Sequence, residues 1–407
     1  GGIVKRSCLL PEGAVVALLE ASRVWLQQGA GLASGLCTAG VPEAKGDDWE
    51  GDFETREELR ESWIMLRARC MEVAKLCTTL EPRAAAAAAA NHVSTVLGWL
   101  AAGGALDASK AVASGAVTAD GRSSMDDAIG AALEGAVSFV EPVMQAMPIA
   151  GSDVSANAEV VAAVTPALEA MLSQLLAVDL TSPVAVSQLA KLLEALGRAA
   201  LVRPDAATAL LQRLFALLSR LPVEEASRVA PPIRVKAALM AGRTAQAARQ
   251  RVCAAVLGVC ASAPNVFNAH LEAFAKQVEG LRSGGRLSGA ERGALAEALM
   301  AVAGPSGPAR VRDVLRWLLE PVQRRWVPAP GQLARDLLPL ASLGQLAAGE
   351  AGRGTAGLSD AHWDLFHDVQ LAERCLRRSG GDKDPNQASD GSVAEGGIGG
   401  GGGGGSG

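Results

Sequence analysis

Residues 286–326 read RLSGAERGALAEALMAVAGPSGPARVRDVLRWLLEPVQRRW, two amphipathic segments around a Gly-Pro-rich turn. In the second segment Val311, Val314, Leu315, Leu318, Leu319, Val322 and Trp326 recur at steps of three and four, so they share one stripe of a helix and leave the intervening arginines wet. Leu287, Leu295, Leu299 and Val302 repeat the logic in the first. Gly304-Pro305-Ser306-Gly307-Pro308 breaks the helix between them, because two prolines remove donors and fix φ, and Glu320-Pro321 reads as the end of the second helix. Such a hairpin cannot bury its stripes alone. It needs neighbours on both sides, which is the condition for a helical solenoid.

The rest of the chain is consistent with that demand. Leu and Ala dominate, Tyr is absent, aromatics make up 3%, and no β-branched run sits between turn signals, so the expectation is an all-α protein. With 407 residues and 49% hydrophobic content it can build a substantial core. Periodicity and breakers predict helices at 12–28, 55–80, 84–101, 125–147, 159–177, 183–201, 205–221, 244–263, 265–281, 332–346 and 361–378, besides the hairpin. Ser182 before Pro183 and Asp205 after Pro204 read as helix starts with a capping side chain. Antiparallel helix pairs of about 40 residues are the HEAT-like or armadillo-like unit. Hairpin starts near 183, 244 and 287 are unevenly spaced, so the repeat is divergent. The domain division expected is an N-terminal helix and loop over 1–46, the α-solenoid over 47–347, a loop and terminal helix over 348–378, and a disordered Gly-rich tail over 379–407.

The net charge of −5 carries no global nucleic-acid signature, but its distribution is polarised. Residues 43–61 hold nine acidic and three basic side chains, a solvated segment or a dock for a basic partner. Residues 198–251 hold ten basic and three acidic. Arg213, Arg220, Arg228, Arg234, Lys236, Arg243, Arg249 and Arg251 are therefore candidate RNA-phosphate contacts on a surface that tracks the backbone without reading bases. Phe215 is the one aromatic among them and sits at a core-like position, which argues against single-strand stacking. A coding bias toward Arg would also enrich it on ordinary wet faces.

Other chemistry is sparse. No GxGxxG, P-loop or GxSxG pattern occurs, so neither catalysis nor a cofactor is expected. Cys70 with Cys77 and Cys253 with Cys260 repeat at seven residues, where cysteine acts as a small core hydrophobe. His362 and His367 near Asp364, Asp368 and Cys375 invite a metal reading, but their spacing of five is wrong for one helix face. Charged residues interrupt each apolar stretch before about 18 positions, so no membrane insertion is expected. The chain starts Gly1-Gly2-Ile3 without a signal-peptide pattern and reads as an internal fragment.

AERGALAEALMAVAG at 290–304 and VLRWLLEPVQRRW at 314–326 resemble paired helices of the exportin-5/Hasty family, within the importin-β (karyopherin) superfamily of nuclear transport receptors. LLAVDLTSPVAVSQLAKLLEALGRAALVRPDAATALLQRLFALLSRLP at 175–222, ARQRVCAAVLGVCASAPNVFNAHLEAF at 248–274 and the acidic stretch at 47–82 are similar to other segments of that family in the same order. The resemblance covers 49–326 and is to the central part of such a receptor. It implies a monomeric, non-enzymatic exportin that binds Ran-GTP mainly through regions absent here. Precursor microRNA or tRNA with bound proteins would be the cargo. It would engage nuclear pore proteins and shuttle between nucleus and cytoplasm. The reading left open by the residues alone is a generic HEAT-repeat protein-protein scaffold without RNA binding.

Overall fold

The computed structural model describes residues 13–28, 56–102, 122–149, 158–223, 245–326 and 360–381. Among them there is no strand. The helices are α1 (Ala14–Gln28), α2 (Arg56–Leu80), α3 (Pro82–Ala101), α4 (Arg122–Ala146), α5 (Ala158–Ala177), α6 (Pro183–Ala195), α7 (Ala206–Arg220), α8 (Ala245–Ser262), α9 (Pro264–Asn268), α10 (Leu271–Ser283), α11 (Gly289–Ala303), α12 (Pro308–Trp326) and α13 (Asp360–Leu376). The predicted helix at 332–346 and nearly all of the Gly-rich tail lie outside the described residues.

The helices form two rows. In the inner row α4, α6, α8, α11 and α13 each pack along the next. The outer helices flank it: α3 packs on α5, α7 on α8, and α10 and α12 on α11, while α1 and α2 pair with each other and with α4. This is the all-α solenoid that the hairpin required. Helix α13, set apart by the sequence as a terminal element, lies side by side with α11.

Position in a row decides how each helix uses its apolar residues. In α6, flanked on both sides, Val184 through Ala190 are buried along with Leu192 and Leu193, and the charges are confined to Lys191 and Glu194. An outer helix shows one stripe. In α7 it is Ala207, Leu210, Leu211, Leu214, Phe215, Leu217 and Leu218, with Arg213 and Arg220 outside it. Each large apolar side chain of this kind contributes about 1.5–3 kcal/mol on full burial. Phe215 of α7 meets Phe274 of α10 in a tilted-edge pair with centroids 5.7 Å apart, stitching consecutive outer helices together. The core continues from Leu19 of α1 to Val302 of α11, and a satellite cluster of Ala296, Met300, Val322, Leu371 and Cys375 lies under α12.

Several boundaries differ from expectation. Predicted helix 183–201 tightens into a 3-10 turn over Leu196–Leu201, and 265–281 divides into α9 and α10. Neither Ser182 nor Asp205 makes a side-chain cap bond: the Ser182 hydroxyl is buried without a partner, and the Asp205 carboxylate is taken by Arg203 at 2.6 and 2.9 Å. The complete capping box is instead Ser288 with Glu291 at the start of α11. Pro321 does not end α12, which runs on to Trp326 because Val322 beyond the proline is buried in the satellite cluster. Pro142 and Pro166 are likewise carried inside helices.

Helix α5 also corrects the expectation about apolar stretches. Its charges are Glu159 and Glu169 only, which leaves it long and apolar enough, by length and composition, to cross a membrane. It uses that composition as a layer helix does, burying Val164, Leu168, Met171, Leu172 and Leu175 on one face.

Candidate nucleic-acid interface

The structure divides the eight basic candidates. Arg228, Arg234, Lys236 and Arg243 lie outside the described residues. Arg213 and Arg220 share the outward side of α7 and face the end of α5: Arg213 donates to the carbonyl of Val178, and Arg220 pairs with Asp179. Burial pulls the Arg213 guanidinium below its usual range, with Arg220 adding to the effect. Arg251 sits apart, on the inner row, paired with Glu194 of α6.

Arg249 leaves the set altogether. Its side chain is 3% exposed, and it donates to both oxygens of Glu291 at 2.7 and 3.0 Å, to the carbonyls of Leu218 and Leu221 at 2.7 and 2.8 Å, and to the carbonyl of Arg286 at 2.6 Å. With all of these donors committed and no path to solvent, it cannot meet a phosphate. The helical spacing carried a signal for this, since Arg249 stands on the stripe of Val252, Cys253 and Val256.

A common job links three members of the basic stretch, Arg198, Arg213 and Arg249. Arg198 donates to the carbonyls of Met144 and Gln145 at 3.1 and 2.6 Å, in the last turn of α4. Arg213 serves the end of α5 and Arg249 the end of α7. Helix C-termini present unpaired carbonyls and a negative dipole end, so a guanidinium from a neighbouring repeat satisfies both. Asn268 of α9 does the same for the carbonyl of Val302 in α11, at 2.6 Å. Three of the ten basic residues in 198–251 thus fasten one helix end to a neighbouring helix.

From α2 across the inner row runs a second electrostatic feature that the charge count along the sequence does not show. Arg67 of α2 pairs with Glu134 of α4 at 3.0 Å, Lys191 of α6 stands within the fields of Glu134 and Glu141, and Arg251 of α8 pairs with Glu194. Burial lowers the affinity of Lys191 and Arg251 for their protons. Three cations alternate with three carboxylates across four helices. The signal was there: on the most apolar helices the few charges fall on one stripe, and stripes of successive helices must align. These six side chains sum to zero charge and offer little field to a polyanion.

The described cysteines are core residues. Cys253 and Cys260 are wholly buried, with thiols pushed far up by desolvation, and Cys375, also wholly buried, is pushed up to about 12. The ring of His367 packs over Gly289, where a Cβ would run into it. The side chain of His362 lies outside the described residues. Among the described residues no group of three His, Cys, Asp or Glu is placed to hold a metal ion.

Comparison with known proteins places this arrangement. The chain is similar to Protein HASTY 1 of Arabidopsis thaliana, 27% identical over 226 residues, which is 55% of this chain and 17% of that protein. The chain thus spans about a sixth of the relative's length. The family model for exportin-5 matches residues 37–395, from ahead of α2 to past α13. That match takes in every helix of the inner row, and on it the chain belongs to the exportin-5 family.

Proposed function

We propose that the chain is a segment of a nuclear export receptor, a carrier and not an enzyme, which binds Ran-GTP and a structured small RNA together in the nucleus and releases both in the cytoplasm. The match over residues 37–395 carries this reading. Precursor microRNA, or tRNA with its bound proteins, is the cargo class, with nuclear pore proteins as transit partners. The mechanism is linkage: each ligand favours a curvature of the solenoid that the other also favours, so each raises the other's affinity by the same factor. Within the segment, the phosphate-binding role falls to Arg220, whose pair with Asp179 is exposed, and to Arg228, Arg234, Lys236 and Arg243.

The test is salt-dependent binding of an RNA hairpin with a two-nucleotide overhang to the full-length receptor, with and without Ran-GTP. Affinity is expected to rise with Ran-GTP and to fall steeply with salt. Replacing the four residues from Arg228 to Arg243 with Gln lowers the slope of log K against log salt by about 0.7–0.9 for each phosphate that is no longer neutralised. Affinity indifferent to both salt and Ran would sink the reading.

A second reading has its own support. Arg198, Arg213 and Arg249 fasten helix ends and Arg251 is paired, which suits a segment whose work is to hold the scaffold or to bind protein while the RNA is gripped elsewhere in the receptor. In that case the Gln replacements leave the salt slope unchanged.

A further inference from the structure

Helix α13 is the last described helix of the inner row, and one of its two flanks is open. His367 and Arg374 mark the flank turned to α11: the His367 ring lies over Gly289, and Arg374 pairs with Glu297 at 3.3 Å. Leu365, Val369, Ala372 and Leu376, at steps of four, three and four, lie about 180° around the helix from them. Asp368, Leu371 and Cys375 fill the buried side between the two flanks. Val369 is 51% exposed and Leu376 52%, whereas α6, inside the row, buries apolar residues on both flanks. The outer row ends in the same way. Trp317 and Pro321 of α12 border the cleft toward α10, while Leu315, Leu319 and Trp326 fall on the other flank and are only partly buried. The two flanks make one apolar end face, of the kind that marks an interaction surface.

The chain between the two helices selects the occupant. Residues 327–359 leave from Trp326 at the end of α12 and return at Asp360 at the start of α13, so this segment is anchored at both edges of the face. Within it Leu333, Leu337, Leu340 and Leu343 recur at steps of four and three, the stripe of the helix predicted at 332–346. Pro339 in that stretch has precedents in Pro142, Pro166 and Pro321, each carried inside a helix. Reach is sufficient: residues 347–359 extend to about 43 Å, against about 25 Å for the length of α13. Tethering decides against a second copy, because a segment held by short linkers acts at an effective concentration of about millimolar order, which a separate chain does not reach.

We propose that the end face of α12 and α13 is the docking surface of the chain's own residues 332–346, their leucines packing on Val369 and Leu376 and on Leu315 and Leu319. The segment supplies the neighbour that both rows lack and keeps the face from a second copy. This role is independent of the export reading, since it needs neither RNA nor Ran.

The experiment is hydrogen-deuterium exchange read by mass spectrometry on the 407-residue chain, at high and at low protein concentration. Amides of 332–346 are expected to be protected equally at both concentrations. Val369→Asp with Leu376→Asp, at two positions already more than half exposed, raises exchange over 332–346 about tenfold or more and leaves α6 and α8 protected. Leu18→Asp, the same kind of change at an exposed position of α1, leaves 332–346 as in the parent. The reciprocal pair, Leu337→Asp with Leu340→Asp, raises exchange in α13 by a similar factor and reads the contact from its other side. Exchange of 332–346 at the unprotected rate in the parent, protection that survives both aspartate pairs, or an equal loss in Leu18→Asp overturns the proposal. Protection that appears only at high concentration, together with a dimer in light scattering, assigns the face to a second copy and overturns it too.

Discussion

Arg249 of α8 and Glu291 of α11 meet two donors to two oxygens, at 2.7 and 3.0 Å, inside a core where neither is more than 3% exposed. Glu291 simultaneously accepts from the backbone N–H of Ser288 at 2.8 Å, so one carboxylate starts a helix and neutralises a buried cation. Arg249→Met strands Glu291 in the core and is expected to cost about 3–5 kcal/mol, read as a large fall in the midpoint of thermal unfolding by circular dichroism. Replacing both, Arg249→Met with Glu291→Leu, is expected to cost less than the single change. A single mutant that melts with the parent contradicts the buried pair.

Arg220 provides the contrast. Its side chain is 51% exposed and that of Asp179 is 66% exposed, so solvent screens the pair. Arg220→Gln is expected to change stability by no more than about 1 kcal/mol. The same thermal scan checks it, and a shift as large as that of Arg249→Met would show that the pair is not a surface one.

Two glycines predict opposite signs for the same substitution. Gly197, in the 3-10 turn after α6, lies where a Cβ would come within 2.9 Å of the Val259 Cα and 2.8 Å of the Ser262 Oγ. Gly197→Ala therefore forces α8 away and is expected to destabilise by about 1–3 kcal/mol. Gly98, in α3, would place a Cβ in open space. Gly98→Ala gains about 0.5–1 kcal/mol from the lost freedom of the unfolded chain and the better helix propensity. Chemical denaturation of the two variants side by side tests the pair of signs.

His92 makes the fold acid-sensitive. Its ring is 3% exposed, lies edge-on to Phe139 at 5.9 Å, and has its Nε2 buried without a partner. Burial, with Arg23 nearby and Glu20 opposing weakly, lowers its pKa from 6.5 to about 4. The unfolded chain binds the proton more readily, so stability is full above about pH 6.5 and is lost as pH falls toward 4, by about 3 kcal/mol in total. His92→Phe is expected to flatten the pH dependence of the melting temperature across that window, and an unchanged slope would exclude His92 as its source.

The architecture was largely legible because it rests on period. Stripes at three and four, Gly-Pro turns and an absence of strand formers located each of the twelve described α-helices, counting α9 and α10 as one. What the sequence could not supply was the partner of each polar side chain. Arg249 and Arg220 look alike in a charge count, and only the packing of α8 against α11 makes one a core residue and the other a surface one. Ser182 and Asp205 had capping chemistry without capping geometry, because Arg203 claims the Asp205 carboxylate and the Ser182 hydroxyl is turned into a dry site. Ser288 and Glu291 had both, and the spacing of three was readable beforehand. The proline at 321 misled for a tertiary reason: the burial of Val322 outweighs one missing backbone bond.

Helix α6 keeps almost no surface for solvent, being packed along α4 on one flank and α8 on the other. A wall shared by two neighbours cannot open like a door. When the solenoid changes curvature between α4 and α8, the movement has to be taken up as shear, with side chains of α6 sliding by fractions of a turn past those they already touch. A solenoid built this way bends by many small displacements distributed along the row, and the tolerance of that sliding is set by residues such as Gly197, at which the 3-10 turn already bears on α8.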